Sequence, residues 1–338
     1  MTIQPMGDQA RNFALQSATS RLRNTMQTLT QELASGEVSE IGQRVGGNTQ
    51  ALNDLETRLR MTEAFRQTTA SAATVADVML NILGDLQQGA VRIGVSFLMD
   101  AGSTDTSVLD LRSAEANSGL QTAISRLNTQ FGGQHLFSGI AVDRPPLPPA
   151  NLILDQLETM TAGMPDPAQV ADTVSAWFDA PAGAGGFLDT AYFGTVGIAR
   201  PAQISETQQV QMDIDAATLP VRETLKGLAV AALTSRALPD LDDKAKLQLM
   251  RTGADVLLRN DTALLGEIGR LGLTAERLAR ARVGQDAQLA TMTIARNQIR
   301  EADPYATSAA LTEVTTQLET IYTVTARLQQ LSLVDYLR

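Results

Sequence analysis

The sequence predicts a mainly α-helical protein: long antiparallel helical rods, paired N- and C-terminal helices of coiled-coil type, and a small inserted mixed α/β domain. Three observations predict it. Apolar residues recur at gaps of three and four over long stretches, which on a helix aligns them along one face. Most of the strand-like texture is confined to about residues 149–217. Aromatic residues are only 4% of a 338-residue chain that is 43% hydrophobic. Its cores are therefore mostly Leu, Ala, Val and Met, as in long helical bundles.

The first helix is expected from Phe13 to Ser35, where Leu15, Ala18, Leu22, Met26, Leu29 and Leu33 step by threes and fours among Ser, Thr and Gln. Arg21, Arg23 and Glu32 are the charges inside it. The last helix, Pro304 to Arg338, repeats the pattern with Leu311, Val314, Leu318, Ile321, Thr325 and Leu328. Off this stripe it carries Thr307, Thr312, Thr315, Thr316, Thr320 and Thr323, with only Glu313, Glu319, Arg327, Asp335 and Arg338 ionisable. A helix in water normally bears many Lys and Glu, so a nearly neutral Thr/Gln surface suits one surrounded by other protein. Docking of the last helix on its own domain is the other reading. Matching seams at the two ends can also zip together, parallel or antiparallel. The candidate assembly interface is Leu15, Leu22, Met26, Leu29, Leu33, Leu311, Val314, Leu318, Ile321, Leu328 and Leu331.

Between the ends, a glycine-punctuated connection from Gly36 to Gly47 reaches Asn48-Thr49, good N-cap residues. A helix of about fifty residues, ~75 Å long at 1.5 Å per residue, then runs to about Met99 through Leu52, Leu55, Leu59, Ala72, Val75, Met79, Ile82, Leu86, Ala90, Ile93 and Phe97. Such a rod must lie along others. After a break at Asp100–Ser107, a returning helix is expected from Val108 to Phe131, stopped by Gly132-Gly133. The run Arg144-Pro145-Pro146-Leu147-Pro148-Pro149 excludes helix and marks a domain edge. Next come a helix at Ala168–Phe178 capped by Asp166-Pro167, and short strands at Tyr192–Gly194, Gly197–Ile204 and Gln209–Ile214. The frame resumes with Thr218–Arg236 and a second long helix from Asp242 to about Ala302, with a bend expected around Gly269–Gly272. Three units follow: 1–48 with 303–338 as a terminal helix pair, 49–145 with 216–302 as the rods, and 146–215 inserted.

Composition excludes several function classes. A charged fraction of 19%, below the usual ~25%, fits a surface partly buried in an assembly. A net charge of −10 with no basic stripe disfavours nucleic acid and anionic membranes. There is no cysteine, and no run of 18 apolar residues to span a membrane. Met1–Arg11 lacks the basic and apolar regions of a secretory signal, so the chain is expected to be cytosolic or to leave by another route. His135 is the only histidine, so neither a His triad nor a multi-His metal site can be written. Gly183–Gly186, Gly194 and Gly197 lack the Gly-Lys-Ser/Thr of a phosphate loop. Asp240, Asp242 and Asp243 read as helix-capping residues before a cation site, and Trp177 with Phe178 as core before a sugar platform. Met26, Met79, Met250 and Met292 read as core fillers. No catalytic, cofactor-binding or metal site is expected; a helical signalling adaptor in the cytosol is the alternative of another class.

Three segments carry a resemblance: Leu33-Ala34-Ser35-Gly36, then Phe131-Gly132-Gly133-Gln134-His135-Leu136-Phe137-Ser138-Gly139, and the ending Leu328-Gln329-Gln330-Leu331-Ser332-Leu333-Val334-Asp335-Tyr336-Leu337. Over roughly 10–140 and 215–338 the chain resembles the bacterial flagellin family. The Gly-Gly-x-x-Leu-Phe-Ser-Gly and Leu-Ser-Leu-x-Asp-Tyr-Leu patterns are closer to its hook–filament junction members than to filament flagellin. The chain departs from the family at Gly46-Gly47-Asn48-Thr49, where an Asp-Asp-Pro-like turn is usual. The resemblance implies a structural role in the flagellum without cofactors. It implies assembly with other copies in a ring, with a hook-side junction protein and with flagellin. It also implies export through the flagellum's own channel with an export chaperone as partner. Filament flagellin is the alternative within the family.

Overall fold

The computed structural model describes residues 4–100, 107–198, 200–236 and 238–336 and, within them, all side chains except those of 4–9, 43, 100, 107, 200 and 329–336. The protein is mainly helical. Its helices are α1 Gln4–Ser35, α2 Ile41–Arg44, α3 Gln50–Asp100, α4 Ser107–Leu127, α5 Ala150–Thr161, α6 Pro167–Asp179, α7 Phe187–Thr190, α8 Leu219–Ala232, α9 Asp243–Arg300 and α10 Pro304–Tyr336. Two antiparallel two-stranded sheets pair β1 Gln130–Phe131 with β2 Gln134–His135, and β3 Arg200–Gln203 with β4 Gln209–Met212.

The residues form two compact units, Met1–Thr62 with Ala287–Arg338, and Glu63–Asp286. This differs from the expected three-way division. The boundaries fall inside α3 and α9, where the helical pattern is continuous. Residues 146–215 also share the core of the rods: Leu147, Ile153, Leu157, Val174 and Phe178 belong to one buried cluster with Leu225, Leu228 and Leu257. The proline run reads as a domain edge, yet it is fastened down. Asn128 donates from Nδ2 to the Leu147 carbonyl at 2.9 Å and accepts from the Leu147 N–H at 3.0 Å. Leu147 itself is 1% exposed.

In the larger unit, α4 packs on α8, and the parts of α3 and α9 within this unit complete the bundle. Small residues let the backbones approach. A Cβ on Gly253 of α9 would meet the Gly227 carbonyl of α8 at 2.7 Å, and one on Gly119 of α4 would strike Ile93 of α3. Asn260 of α9, buried, donates to the Pro220 carbonyl at 2.7 Å and to Thr224 Oγ1 at 2.9 Å, satisfying a polar group inside the bundle. Helices α5 and α6 lie against α8, with Trp177, Phe178 and Phe187 in mutual ring contact. Trp177 is thus core. Lys226 of α8, also buried, reaches Asp179 at 2.9 Å and Glu223 at 2.6 Å.

Several local expectations are corrected. Helix α4 stops at Leu127, and Gly132 and Gly133, with φ of 59° and 78°, form the turn of the β1–β2 hairpin. Two successive positive-φ residues match the right-handed twist of a two-residue hairpin, a geometry that favours glycine. Tyr192–Gly194 is not a strand, and the other two strands shorten to 200–203 and 209–212. Helix α5, unforeseen, starts directly after Pro149 and buries Ile153, Leu154 and Leu157. Helix α9 is unbroken from Asp243 to Arg300 through Gly266, Gly269 and Gly272.

Candidate assembly interface

The smaller unit is built around α1 and α10, which pack on each other. A backbone strap sets their direction. The Val38 N–H donates to the Arg300 carbonyl at 2.8 Å and the Ala302 N–H to the Gly36 carbonyl at 2.9 Å, so the C-terminal end of α1 lies beside the start of α10. Asp303 caps α10 by accepting from the N–H groups of Tyr305 and Ala306. Farther along, the Arg23 guanidinium donates to Tyr322 Oη at 2.8 Å and 3.0 Å and sits over its ring. The pair is therefore antiparallel. Arg300 adds ion pairs to Glu37 at 2.9 Å and Glu56 at 3.1 Å; these held charges keep its guanidinium firmly protonated.

The predicted seam residues come together only incompletely. Val314 and Leu318 are buried, at 9% and 5% exposure. Leu15, Leu22, Met26, Leu29, Leu311, Ile321 and Leu328 are half-buried, and Leu33 is 42% exposed. Leu331 lies on α10 but its side chain is outside the described residues. Phe13, Tyr305 and Val324 are exposed on the same two helices. One partner helix can cover only one sector of another, so the rest of each apolar stripe remains open.

The threonines explain the neutral surface. The hydroxyls of Thr312, Thr316, Thr320, Thr323 and Thr325 donate to the carbonyls of Ser308, Thr312, Thr316, Glu319 and Ile321, at 2.7–2.9 Å. On α1, Thr19, Thr25 and Thr30 do the same toward Leu15, Arg21 and Met26. Each hydroxyl is thus satisfied by its own helix, four residues back. Covering this surface with protein leaves few polar groups without partners, which removes the main cost of burying it.

The polar groups singled out elsewhere are structural. His135 is buried, with Nδ1 2.9 Å from the Asn128 carbonyl and Nε2 2.7 Å from Gln130 Nε2. Asp242 caps α9 by accepting from Ala245 N–H, and Asp240 accepts from Gly163 N–H. Asp189 accepts the N–H groups of Gly183 and Gly185, which hold its carboxyl below the usual range. Among the described residues no group of three His, Asp or Glu is placed to hold a metal ion, and no helix is long and apolar enough to cross a membrane. Sequence reasoning missed the Arg23–Tyr322 contact and the Arg300 clamp. The signal for the first was a guanidinium and a phenol in two sparsely charged helices; Arg300, one charge among many on α9, gave none.

Residues 261–337 match the model of the bacterial flagellin C-terminal helical region. Among solved structures, the fold is similar to that of a Vibrio parahaemolyticus protein provisionally assigned as a flagellar hook-associated protein. The TM-score is 0.51 at 15% identity, over 73% of this chain and 95% of that one. It is also similar to Bacillus cereus FlgL, with a TM-score of 0.50 at 11% identity, over 72% of this chain and all of that one, 100%. No curated protein matches the sequence. At these identities the structural likeness is one of fold.

Proposed function

We propose, from the match of residues 261–337 to the bacterial flagellin C-terminal helical region, that the chain is a structural subunit of the flagellum, joining hook to filament by helix packing and without catalysis. The observation that carries this reading is the half-open apolar stripe of the α1–α10 pair, set in a surface whose threonine hydroxyls are already bonded at home. A fully buried Leu is worth roughly 1.5–3 kcal/mol, so the half-buried seam holds back stabilisation that only neighbouring molecules can release.

In this reading, residues Leu15, Leu22, Met26, Leu29, Leu33, Leu311, Val314, Leu318, Ile321, Leu328 and Leu331 form the assembly surface. The partners are other copies in a ring, a hook-side junction protein and flagellin, with an export chaperone before assembly. The protein acts outside the cell after export through the flagellar channel. Filament flagellin is the competing reading within the family; it requires the purified chain to grow long filaments alone.

Removing Thr325–Arg338 tests the proposal. The shortened chain is expected to keep its larger unit folded and to lose filament attachment in cells. Attached filaments at normal number would sink the terminal-seam reading. In the free chain, amides of 10–35 and 305–328 should exchange much faster than those of 72–97.

A further inference from the structure

One segment of the larger unit carries acids alone. Residues 145–199, which build α5, α6 and α7, contain Asp155, Glu158, Asp166, Asp172, Asp179 and Asp189 and not one Lys or Arg. Some of these acids are engaged within the copy: Asp155 with Arg236 at 3.0 Å, Asp179 with Lys226, and Asp189 with its glycine N–H groups. Asp166 caps α6 with one oxygen and is exposed, and Asp172 is exposed on α6. This acidic layer adjoins the start of α9, because Gly163 N–H donates to Asp240 just before α9 begins.

Roughly thirty residues further along α9, about 45 Å at 1.5 Å per residue, three arginines gather at one groove. Arg270, Arg277 and Arg280 line an open groove of about 1120 Å³ between α9 and the β3–β4 hairpin, with Gln209 and Gln211 opposite and Asp213 the one acid in its lining. Leu273, between the arginines, is 56% exposed. Arg270 pairs with Glu267 on its own helix, and Arg280 lies 3.6 Å from Glu276. Among the described residues no ion pair holds Arg277.

The Asp166 end of the acidic layer does not meet the arginine groove within one copy, since Asp240, which holds Gly163, and Arg270 are thirty residues apart, about 45 Å along the helix and several screening lengths of ~8 Å at physiological salt. A complement for each exists on every other copy. We propose that the Arg270–Arg280 groove receives the acidic α5–α7 face of a second copy of this chain. An exposed leucine ringed by arginines and amides has the anatomy of a small interface, apolar at its centre and polar at its rim. The contact joins two different surfaces, so repeating it builds a ring or a helical array. It goes beyond the terminal seam and does not depend on it.

The test uses the full chain carrying Arg277→Lys, which keeps the charge and supplies an amine, as a mixture of ¹⁴N- and ¹⁵N-labelled copies at assembling concentration. Carbodiimide couples amines to carboxylates in direct contact, and mass spectrometry of mixed-isotope peptides identifies links between copies. The expected product joins position 277 to the peptide carrying Asp166 and Asp172. Its yield should fall at least tenfold in D166N/D172N and persist in L318D, which disables only the terminal seam. Coupling confined to one copy, coupling to another segment, or none at all overturns the proposal, even if the terminal helices still assemble. Loss of coupling in L318D overturns its independence from that seam.

Discussion

In the larger unit the helices meet through side chains with no exposure at all, among them Leu83, Leu120, Leu127, Leu154, Leu157, Phe178 and Phe187. In the smaller one the best-covered members of the α1–α10 seam are Leu318 and Val314, and the others are half-buried or open. Both regions show the same spacing of apolar residues by threes and fours. What separates them is how completely neighbours cover the stripe: α8 touches α4, α5, α6 and α9, and among the described contacts α1 packs on α10. A stripe on a helix states that a partner is needed and leaves open whose chain supplies it.

The sharpest way to break this contrast is to cut one side chain from each region. Phe178→Ala should cost the larger unit about 3–5 kcal/mol by leaving a cavity where the ring stacks on Phe187. Leu33→Ala, at a position 42% exposed, should shift the main unfolding transition of the dilute chain by less than about 1 kcal/mol while abolishing assembly. Equal losses in denaturant titrations would mean that the two regions are held alike.

Gly253→Ala comes next. The added methyl meets the Gly227 carbonyl at 2.7 Å and Ala231 at 3.0–3.1 Å, so overpacking should cost about 1–3 kcal/mol, read from the same titrations. An unchanged midpoint would show that α8 and α9 can part without penalty.

A smaller effect is expected from pH. Asp215 is buried, accepts from Ala217 N–H and Thr218 Oγ1, and burial raises its carboxyl above the usual value; burial and this carboxyl together raise the Tyr192 phenol. A raised pKa means that the protonated form is favoured in the folded state. Its contribution to stability is therefore complete below the unfolded value of about 3.9 and is lost as pH rises through the folded value. Subtracting the stability profile of Asp215→Asn from that of the wild type between pH 4 and 7 should leave a difference that declines with pH. A flat difference would contradict it.

The smallest expected change is Thr316→Val, within about 0.5 kcal/mol in the free chain and without loss of assembly, because the hydroxyl bonds only to its own helix. Failure to assemble, scored by light scattering, would show that neighbours use that hydroxyl.

The long helices were legible because their apolar spacing persists over many turns, and the caps at Asp166 and Asp242 were legible because the residue type fits the geometry. Helix α5 was hidden by its setting, twelve residues between a proline run and Gly163. The Gly132-Gly133 pair was read as a helix stop since glycine serves both ends and turns, and only the pairing of Phe131 with Gln134 decides between them. The arginine groove could not be read from sequence, because Arg270, Arg277 and Arg280 acquire an opposite wall only once the β3–β4 hairpin folds beside them.

The clasp of Asn128 on Leu147 has one more consequence. Among residues 145–149 four are prolines, so Leu147 owns the only main-chain N–H of that stretch, and the amide of Asn128 occupies it. An extended segment with no vacant donor cannot be annexed as an extra strand by a foreign chain. That segment is proofed against fibrillar misassembly by chemistry.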